Sequence, residues 1–203
     1  MAEMVTPSPL DQEKWFRSDS QFHHLYPLSI QQLAKKHWTP LAIAEKASRF
    51  LVTENDVRIL DIGSGAGKFC LSAAFYKPRA VYYGVEQRKN LIAHAEVARN
   101  ILKMRNVSFI HGNFTQLDFK MFDHFYFYNS FYENLAFSDK IDNSINHSVE
   151  LYNYYSRFLL KQLDQTAAGT KLVTFSSLGD EVPRSFRLIE AETESLLRFW
   201  IKE

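Results

Sequence analysis

The sequence contains only one cysteine, Cys70, among its 203 residues. One thiol excludes an internal disulfide framework and any metal site that needs several cysteines. A reducing compartment suits such a chain, and we expect it in the cytoplasm. The adjacent His23 and His24 suggest a metal site, but neighbouring side chains diverge in a helix or a strand, and no third ligand has suitable spacing. We therefore expect no bound metal.

The sequence also lacks an excess of charge of either sign and any long apolar run. Its 24 Lys and Arg residues nearly balance 23 Asp and Glu, for a formal net charge of +1. Without a strong overall field, a nucleic-acid partner would need a local basic patch. No apolar run approaches the roughly 20 residues of a membrane helix, and residues 1–10 lack the basic start and apolar stretch of a secretion signal. We expect neither membrane insertion nor secretion.

Segments typical of strands and helices alternate from residue 39 onward. Strands are predicted at 57–62, 80–86, 107–110, 124–128 and 171–176, with helices at 67–77, 88–104 and 144–163. Two further strand-like runs, 186–190 and 196–202, flank a polar turn and predict an antiparallel hairpin. The sequence therefore predicts an α/β fold with a doubly wound, mainly parallel seven-stranded sheet and an antiparallel C-terminal hairpin strand.

Residues 1–38 are predicted to form an N-terminal helical extension. A short helix is expected at 28–38 after a loop at 18–27, and a longer helix follows, with Thr39 as its cap and Pro40 at its first position. The extension is polar, but it contains the aromatic residues Phe22, Tyr26 and Trp38. We hypothesise that it is a lid over the ligand cleft, which would exclude water.

Three glycines follow the first predicted strand in the pattern D-x-G-x-G-x-G. This pattern begins at Asp61 and places glycine at 63, 65 and 67. Glycine allows a sharp turn and close approach of a ligand, and unpaired amides at the start of the next helix point toward that ligand. The sequence therefore predicts a nucleotide-like ligand at the end of this strand.

The residue spacing around the glycines distinguishes between the candidate nucleotide-like ligands. The dinucleotide fingerprint counted from Gly63 requires glycine at position 68, which is Lys68. A phosphate-binding Walker loop requires Ser or Thr at position 69, which is Phe69. Glu86 ends the second predicted strand, where a carboxylate can accept hydrogen bonds from both ribose hydroxyls of an adenosine. An adenosine ligand without phosphates is favoured.

These motifs resemble those of class I, Rossmann-like S-adenosylmethionine-dependent methyltransferases, and more narrowly a group of small bacterial methyltransferase-domain proteins. The resemblance covers about residues 39–203 and rests on the segments 37–40, 59–67, 67–70, 84–86, 111–114 and 129–135. It implies S-adenosyl-L-methionine as the cofactor and a methyltransferase that modifies an unidentified acceptor. A non-catalytic module that binds or senses S-adenosylmethionine is the alternative.

The resemblance also implies roles for individual residues at the cofactor. The backbone of Gly63–Gly67 would hold the methionine part and Glu86 the ribose, while Asn113 would lie beside the adenine with Phe114 covering its ring. The expected cofactor-binding residues are Asp61, Gly63, Ser64, Gly65, Gly67, Phe69, Glu86, Gln87, Asn113, Phe114 and Asn129.

The segment after the fourth strand, Asn129-Ser130-Phe131-Tyr132, lies where amino-group methyltransferases carry Asn/Asp-Pro-Pro-Tyr/Phe. Only the two ends of that pattern are kept. By resemblance Asn129 would accept a hydrogen bond from an acceptor nitrogen, Tyr132 would stack on the acceptor, and Glu133 would act as a base or orient the substrate. Equally, Asn129 could cap the strand while Phe131 and Tyr132 pack in the core, and Glu133 could be a solvated surface group. A small molecule or a protein is favoured over nucleic acid as the acceptor.

Overall fold

The computed structural model describes residues 12–135, 140–194 and 196–203. A seven-stranded sheet runs through it in the order β3-β2-β1-β4-β5-β7-β6. Its strands are β1 (Arg58–Ile62), β2 (Val81–Glu86), β3 (Val107–His111), β4 (His124–Phe127), β5 (Lys171–Phe175), β6 (Phe186–Glu192) and β7 (Leu197–Lys202). The α-helices of the described part are α1 (Asp19–His23), α2 (Leu28–Gln31), α3 (Ala34–His37), α4 (Leu41–Leu51), α5 (Lys68–Tyr76), α6 (Lys89–Leu102) and α7 (Val149–Asp164).

Strand directions confirm the predicted mixed sheet. β1 pairs in parallel with both β2 and β4, and the parallel pairing continues to β3 on one side and β5 on the other. β7 is antiparallel to β5 and to β6, so the last two strands form the predicted hairpin. The strand order reverses between β1 and β4, and parallel sheets open a ligand crevice at such a reversal.

Apolar residues cover both faces of the sheet because successive strand residues point to opposite sides. In β1, Ile59 packs in a core cluster that includes Phe22 and Ala44, whereas Leu60 packs in a second cluster with Phe125 and Leu159. This alternation explains why the central strand is almost wholly buried. Helices on both faces are therefore needed, as the doubly wound prediction requires.

The N-terminal segment packs against the main domain as part of its core. Phe16, Phe22, Tyr26 and Trp38 are 7%, 0%, 4% and 5% exposed and belong to the same cluster as Ile59. The predicted loop at 18–27 is wrong, since α1 lies there and the Ser18 side chain accepts from Gln21 N at 3.2 Å. Burial of Phe22 stabilises this helix, although the apolar residues of 18–27 show no clear helical periodicity. The predicted helix at 28–38 is divided into α2 and α3.

The starts of α4 and α7 differ from the predicted ones. Pro40, and not Thr39, is the residue before α4, and the Thr39 hydroxyl lies 2.9 Å from that of Tyr126. A tertiary partner has replaced the local cap. α7 begins at Val149 with Ser148 as its cap, five residues after the predicted start.

Residues 1–10, on which the expectation about secretion rests, lie outside the described residues. No helix among the described residues has both the length and the apolar character to cross a membrane.

Asp61 is a buried carboxylate inside β1, on the face covered by α5. It is 3% exposed, and the Cys70 thiol donates to its Oδ2 at 3.5 Å. Burial raises the pKa of Asp61 from 3.8 to about 8. The neutral acid is therefore the form that the fold accommodates, because burying a lone carboxylate costs free energy.

Asp61 is expected to make the protein less stable as pH rises. The unfolded chain releases the Asp61 proton above pH 3.8 while the folded chain retains it to about pH 8, so the free energy of unfolding should fall by about 1.4 kcal/mol per pH unit across that window. Asp61→Asn should remove this slope, measured by urea unfolding from pH 4 to pH 8. Glu190→Gln, at an exposed carboxylate, is the control. Parallel curves for the wild type and Asp61→Asn would contradict the prediction.

Candidate cofactor and acceptor site

One cavity of about 580 Å³ opens at the carboxyl end of the parallel strands, within the size range of small-molecule sites. Segments after β1, β2, β3 and β4 line it, together with α3. The pairing of Ile62 with Phe127 brings the segments after β1 and β4 side by side. The cavity therefore lies at the reversal of strand order. Of the predicted site residues it is lined by Gly63, Gly65, Glu86, Gln87, Phe114, Asn129, Tyr132 and Glu133.

The glycine loop lies against the loop that follows β4. Gly63 has φ +76°, and a Cβ atom there would lie 2.2 Å from the Ser130 hydroxyl oxygen. Ser130 in turn donates this hydroxyl to the Ile62 carbonyl at 2.6 Å. Only glycine satisfies both the backbone angle and the close approach at position 63. The contact fixes the distance between the two loops.

Glu86 closes β2 with its carboxylate at the wall of the cavity. Its Oε1 accepts from Arg88 N at 2.9 Å and its Oε2 from Gly65 N at 3.2 Å. Burial raises the pKa of Glu86, while these hydrogen bonds and the Arg88 guanidinium oppose the rise. An ionised carboxylate has about four lone-pair sites, so about two remain for further donors. The two hydroxyls of a ribose match that number.

Asn113 serves as a cap, and its side chain is committed to protein partners. Its oxygen accepts from Thr115 N at 3.0 Å and from Thr115 Oγ1 at 2.9 Å. Its nitrogen donates to Gln87 Oε1 at 3.0 Å and to Tyr155 OH at 2.9 Å. Both hydrogen bonds accepted by the amide oxygen therefore come from Thr115. Through its amide nitrogen Asn113 also orients Gln87, which lines the cavity.

Aromatic rings form the end of the cavity near Gln87. Phe114 stacks on Phe131 with centroids 5.0 Å apart and meets Tyr155 edge-on at 5.5 Å. All three rings line the cavity. A planar base can be held by such rings through stacking and apolar contact.

Several predicted cofactor residues line a smaller cavity beside the large one. Asp61, Ser64 and Phe69 line a second cavity of about 30 Å³, and the Phe69 ring stacks on Tyr126 at 3.6 Å. Gly67 precedes α5 with φ +84°. None of these four predicted residues lines the large cavity.

The loop after β4 presents the predicted acceptor residues at the cavity. Asn129 has a positive φ of 35°, a conformation that asparagine tolerates better than most residues, and lines the cavity with Tyr132. Phe131 is 4% exposed and packs in the core. Glu133 is not a solvated surface group: its side chain is 12% exposed and its Oε2 lies 2.7 Å from Arg88 Nη2.

Arg88 is the main site residue that sequence reasoning missed. An arginine two positions after Glu86 was the available signal, but its partners Glu133 and Asp142 lie 45 and 54 positions away in the chain. α3 and the residue after it also reach the cavity wall, through Lys36, His37 and Trp38. Of these three residues, the lid hypothesis had named only Trp38. In the described ranges no group of three His, Cys, Asp or Glu residues is arranged to hold a metal ion.

Comparisons with known proteins agree with this geometry. A family model described as a methyltransferase domain matches residues 53–167, more than half of the chain. A curated relative, the release factor glutamine methyltransferase of Buchnera aphidicola subsp. Baizongia pistaciae (strain Bp), is 34% identical over 82 residues. That match covers 40% of this chain and 29% of the relative, so this chain spans under a third of that protein.

Solved structures share the fold at low sequence identity. The RNA methyltransferase of Salinibacter ruber, solved with S-adenosyl-L-homocysteine, has a TM-score of 0.58 at 18% identity and covers 81% of this chain and 93% of its own. An S-adenosylmethionine-dependent methyltransferase of Aquifex aeolicus has a TM-score of 0.52 at 14% identity and covers 97% and 98%. With the glycine loop and Glu86 at one cavity and a family model over more than half its length, the chain belongs to the methyltransferase-domain family, as a class I member whose cofactor is S-adenosylmethionine.

Proposed function

We propose that this protein transfers the methyl group of S-adenosylmethionine to a nitrogen atom of a small molecule or a protein side chain. The observation that carries the proposal is the convergence of three segments on one cavity: the glycine loop, Glu86, and the Asn129–Tyr132 loop. The first two suit an adenosine-bearing cofactor, and the third reaches the same space from β4. Donor and acceptor groups could therefore meet there.

The residues present fit S-adenosylmethionine. Glu86 has acceptor capacity for the ribose hydroxyls, the stacked rings of Phe114 and Phe131 offer an apolar contact for the adenine, and Gln87 is oriented at that end by Asn113. The glycine loop leaves room for the methionine part, since a Cβ atom on Gly65 would meet nothing within 4 Å. When bound, the cofactor supplies an electrophilic methyl group on a positively charged sulfur. The protein then has to orient an acceptor and exclude water.

A nitrogen acceptor is supported by the loop after β4 and by the curated relative. Asn129 and Tyr132 keep the two ends of the pattern typical of amino-group methyltransferases, and the name of the relative specifies a glutamine side chain. In the proposal the Asn129 side-chain oxygen accepts a hydrogen bond from the acceptor nitrogen, and Tyr132 contacts the acceptor. Both residues line the cavity.

The N-terminal segment forms one wall of the proposed acceptor site. The Tyr26 hydroxyl donates to the Ala66 carbonyl of the glycine loop at 2.8 Å. Lys68, 4% exposed at the start of α5, forms an ion pair with Asp19 of α1. Trp38 and His37 line the cavity. We propose that the N-terminal segment stays packed over the ligand cleft and that its position is coupled to the glycine loop.

Binding and transfer are tested separately. Isothermal titration with S-adenosylmethionine and S-adenosylhomocysteine should show that the protein binds both. Radiolabelled S-adenosylmethionine is then added to cell extract separated into small-molecule, protein and RNA fractions. Label in the protein or small-molecule fraction supports the proposal, and label that nuclease releases would refute the acceptor class. Binding without transfer to any fraction would indicate a non-catalytic module.

Glu86→Gln should weaken binding of S-adenosylhomocysteine by roughly tenfold to a hundredfold. Hydrogen bonds to a charged acceptor contribute about 1.5–3 kcal/mol, and the amide removes that charge. Isothermal titration measures the change. Glu181→Gln is a matched control, because Glu181 is a carboxylate only 3% exposed that does not line the cavity. Equal affinities for Glu86→Gln and the wild type would exclude the ribose role.

Asn129→Gly should slow transfer while leaving the affinity for S-adenosylhomocysteine within about threefold of the wild type. Glycine keeps the positive φ of position 129 and removes only the side chain. We expect kcat with the labelled acceptor fraction to fall by about tenfold or more. An unchanged kcat would assign Asn129 to the strand end alone.

Tyr26→Phe should reduce both stability and cofactor affinity. Loss of the hydroxyl leaves the Ala66 carbonyl without its donor, which should cost about 1 kcal/mol of unfolding free energy. Tyr82→Phe is the matched control, since the buried Tyr82 hydroxyl donates to the Lys77 carbonyl at 3.2 Å, away from the glycine loop. Both variants should lose stability, and only Tyr26→Phe should weaken S-adenosylhomocysteine binding. Equal affinities in the two variants would show that docking is not coupled to the loop.

A further inference from the structure

Arg88 is a buried guanidinium surrounded by three carboxylates. Its side chain is 2% exposed, and Glu86, Glu133 and Asp142 approach it at 3.6, 2.7 and 3.0 Å. The contact with Glu133 is bidentate, with Nη1 at 3.1 Å from Oε1 and Nη2 at 2.7 Å from Oε2. His147 Nε2 lies 3.5 Å from Nη2. The fork geometry of arginine suits this arrangement, and a lysine could not reproduce it.

The three carboxylates belong to three different walls of the cavity. Glu86 ends β2, Glu133 lies in the turn after β4, and Asp142 lies in residues 140–147, which we name the cover segment. Ile141, Ile145 and His147 of the cover segment line the cavity. Arg88 therefore joins the ribose-binding strand, the acceptor loop and the cover segment through a single side chain.

Further hydrogen bonds extend the connection at both ends. Glu133 Oε2 also accepts from Ile141 N at 2.9 Å, so this carboxylate ties the acceptor loop to the cover segment. Asp142 accepts from Ser144 N at 2.9 Å and so helps to fold the same segment. Glu86 accepts from Gly65 N at 3.2 Å. A continuous chain of contacts thus runs from the glycine loop through Arg88 to the cover segment.

We infer that Arg88 is a positioning residue for the cofactor. Glu133 holds the Arg88 side chain in place and does not act as a catalytic base. Arg88 holds the Glu86 carboxylate toward the place of the ribose and keeps the cover segment against the cavity. Both oxygens of Glu133 accept from Arg88, and taking up a proton from an acceptor would weaken a buried, bidentate ion pair. The inference rests on the proposed function, because it assigns the ribose to Glu86.

Glu133→Gln is the first test. The amide keeps the size of the side chain and removes the charge that Arg88 requires. We expect the affinity for S-adenosylhomocysteine to fall roughly tenfold by isothermal titration, because Glu86 and the cover segment are less well held. Hydrogen exchange at residues 140–147 should become faster. A base, by contrast, predicts unchanged affinity and unchanged exchange, and that result would overturn the inference.

A double-mutant cycle with Arg88→Lys tests whether Glu133 acts through Arg88. Lysine keeps the positive charge, so the carboxylates stay paired with a cation and the fold is retained, but the bidentate contact is lost. If the two residues act as one unit, the double variant binds S-adenosylhomocysteine no more than about twofold more weakly than the weaker single variant. If the loss of affinity in the double variant equals the product of the two single losses, Glu133 contacts the ligand independently of Arg88. That result would overturn the role assigned to Glu133.

Two further variants test another partner of Arg88 and control for the loss of an ion pair elsewhere. Asp142→Asn changes a partner whose side chain is 31% exposed, so it tests the same cluster at less risk to folding, and it too should accelerate exchange in the cover segment. Glu96→Gln breaks a partly exposed Glu–Arg pair on α6, at 2.6 Å from Arg99, and should leave affinity and exchange unchanged. A loss of affinity in Glu96→Gln equal to that in Glu133→Gln would overturn the inference.

Failure of the wild type to bind S-adenosylhomocysteine would refute the proposed function itself. Wild-type binding with unaffected Arg88 and Glu133 variants would refute this inference alone.

Discussion

The close contact between the loops after β1 and β4 is the constraint on which the rest of the site depends. Gly63 has no side chain, so the Ser130 hydroxyl can reach the Ile62 carbonyl at 2.6 Å. The parallel pairing of Ile62 with Phe127 brings both loops to the same edge of the sheet. The strand order reverses there, and the cavity forms at this reversal. The glycine loop and the Asn129–Tyr132 loop therefore line the same space.

Two buried acidic residues near the glycine loop, Asp61 and Glu86, have different surroundings. Asp61 faces α5 behind the loop, where its raised pKa marks a carboxyl group that supports the fold. Glu86 is also buried, but Gly65 N, Arg88 N and the Arg88 guanidinium accommodate its charge at the cavity wall. Desolvation raises the pKa of both carboxyl groups, but at Asp61 only the Cys70 thiol opposes the rise, whereas at Glu86 two backbone amides and a guanidinium oppose it. Only the second is suited to bind a ligand.

The N-terminal segment shows how this domain differs from the part that the family model describes. That model begins at residue 53, whereas α3 and Trp38 lie before it and still line the cavity. Phe22 and Tyr26 pack in the same core as the sheet, so the segment is as much a part of the domain as its strands. Residues outside the matched region therefore shape the side of the cavity next to the acceptor loop.

Local patterns in the sequence determined the strand and helix alternation, the hairpin at the C-terminus, the glycine loop and the position of Glu86. Each depends on neighbours within a few residues, through side-chain periodicity or backbone freedom at glycine. Tertiary structure alone decided that the Asn113 oxygen would be used by Thr115, that α1 would form around a buried Phe22, and that Arg88 would meet Glu133 and Asp142, 45 and 54 positions away. Such pairings depend on how the sheet brings distant segments to one edge, and no short-range pattern records them.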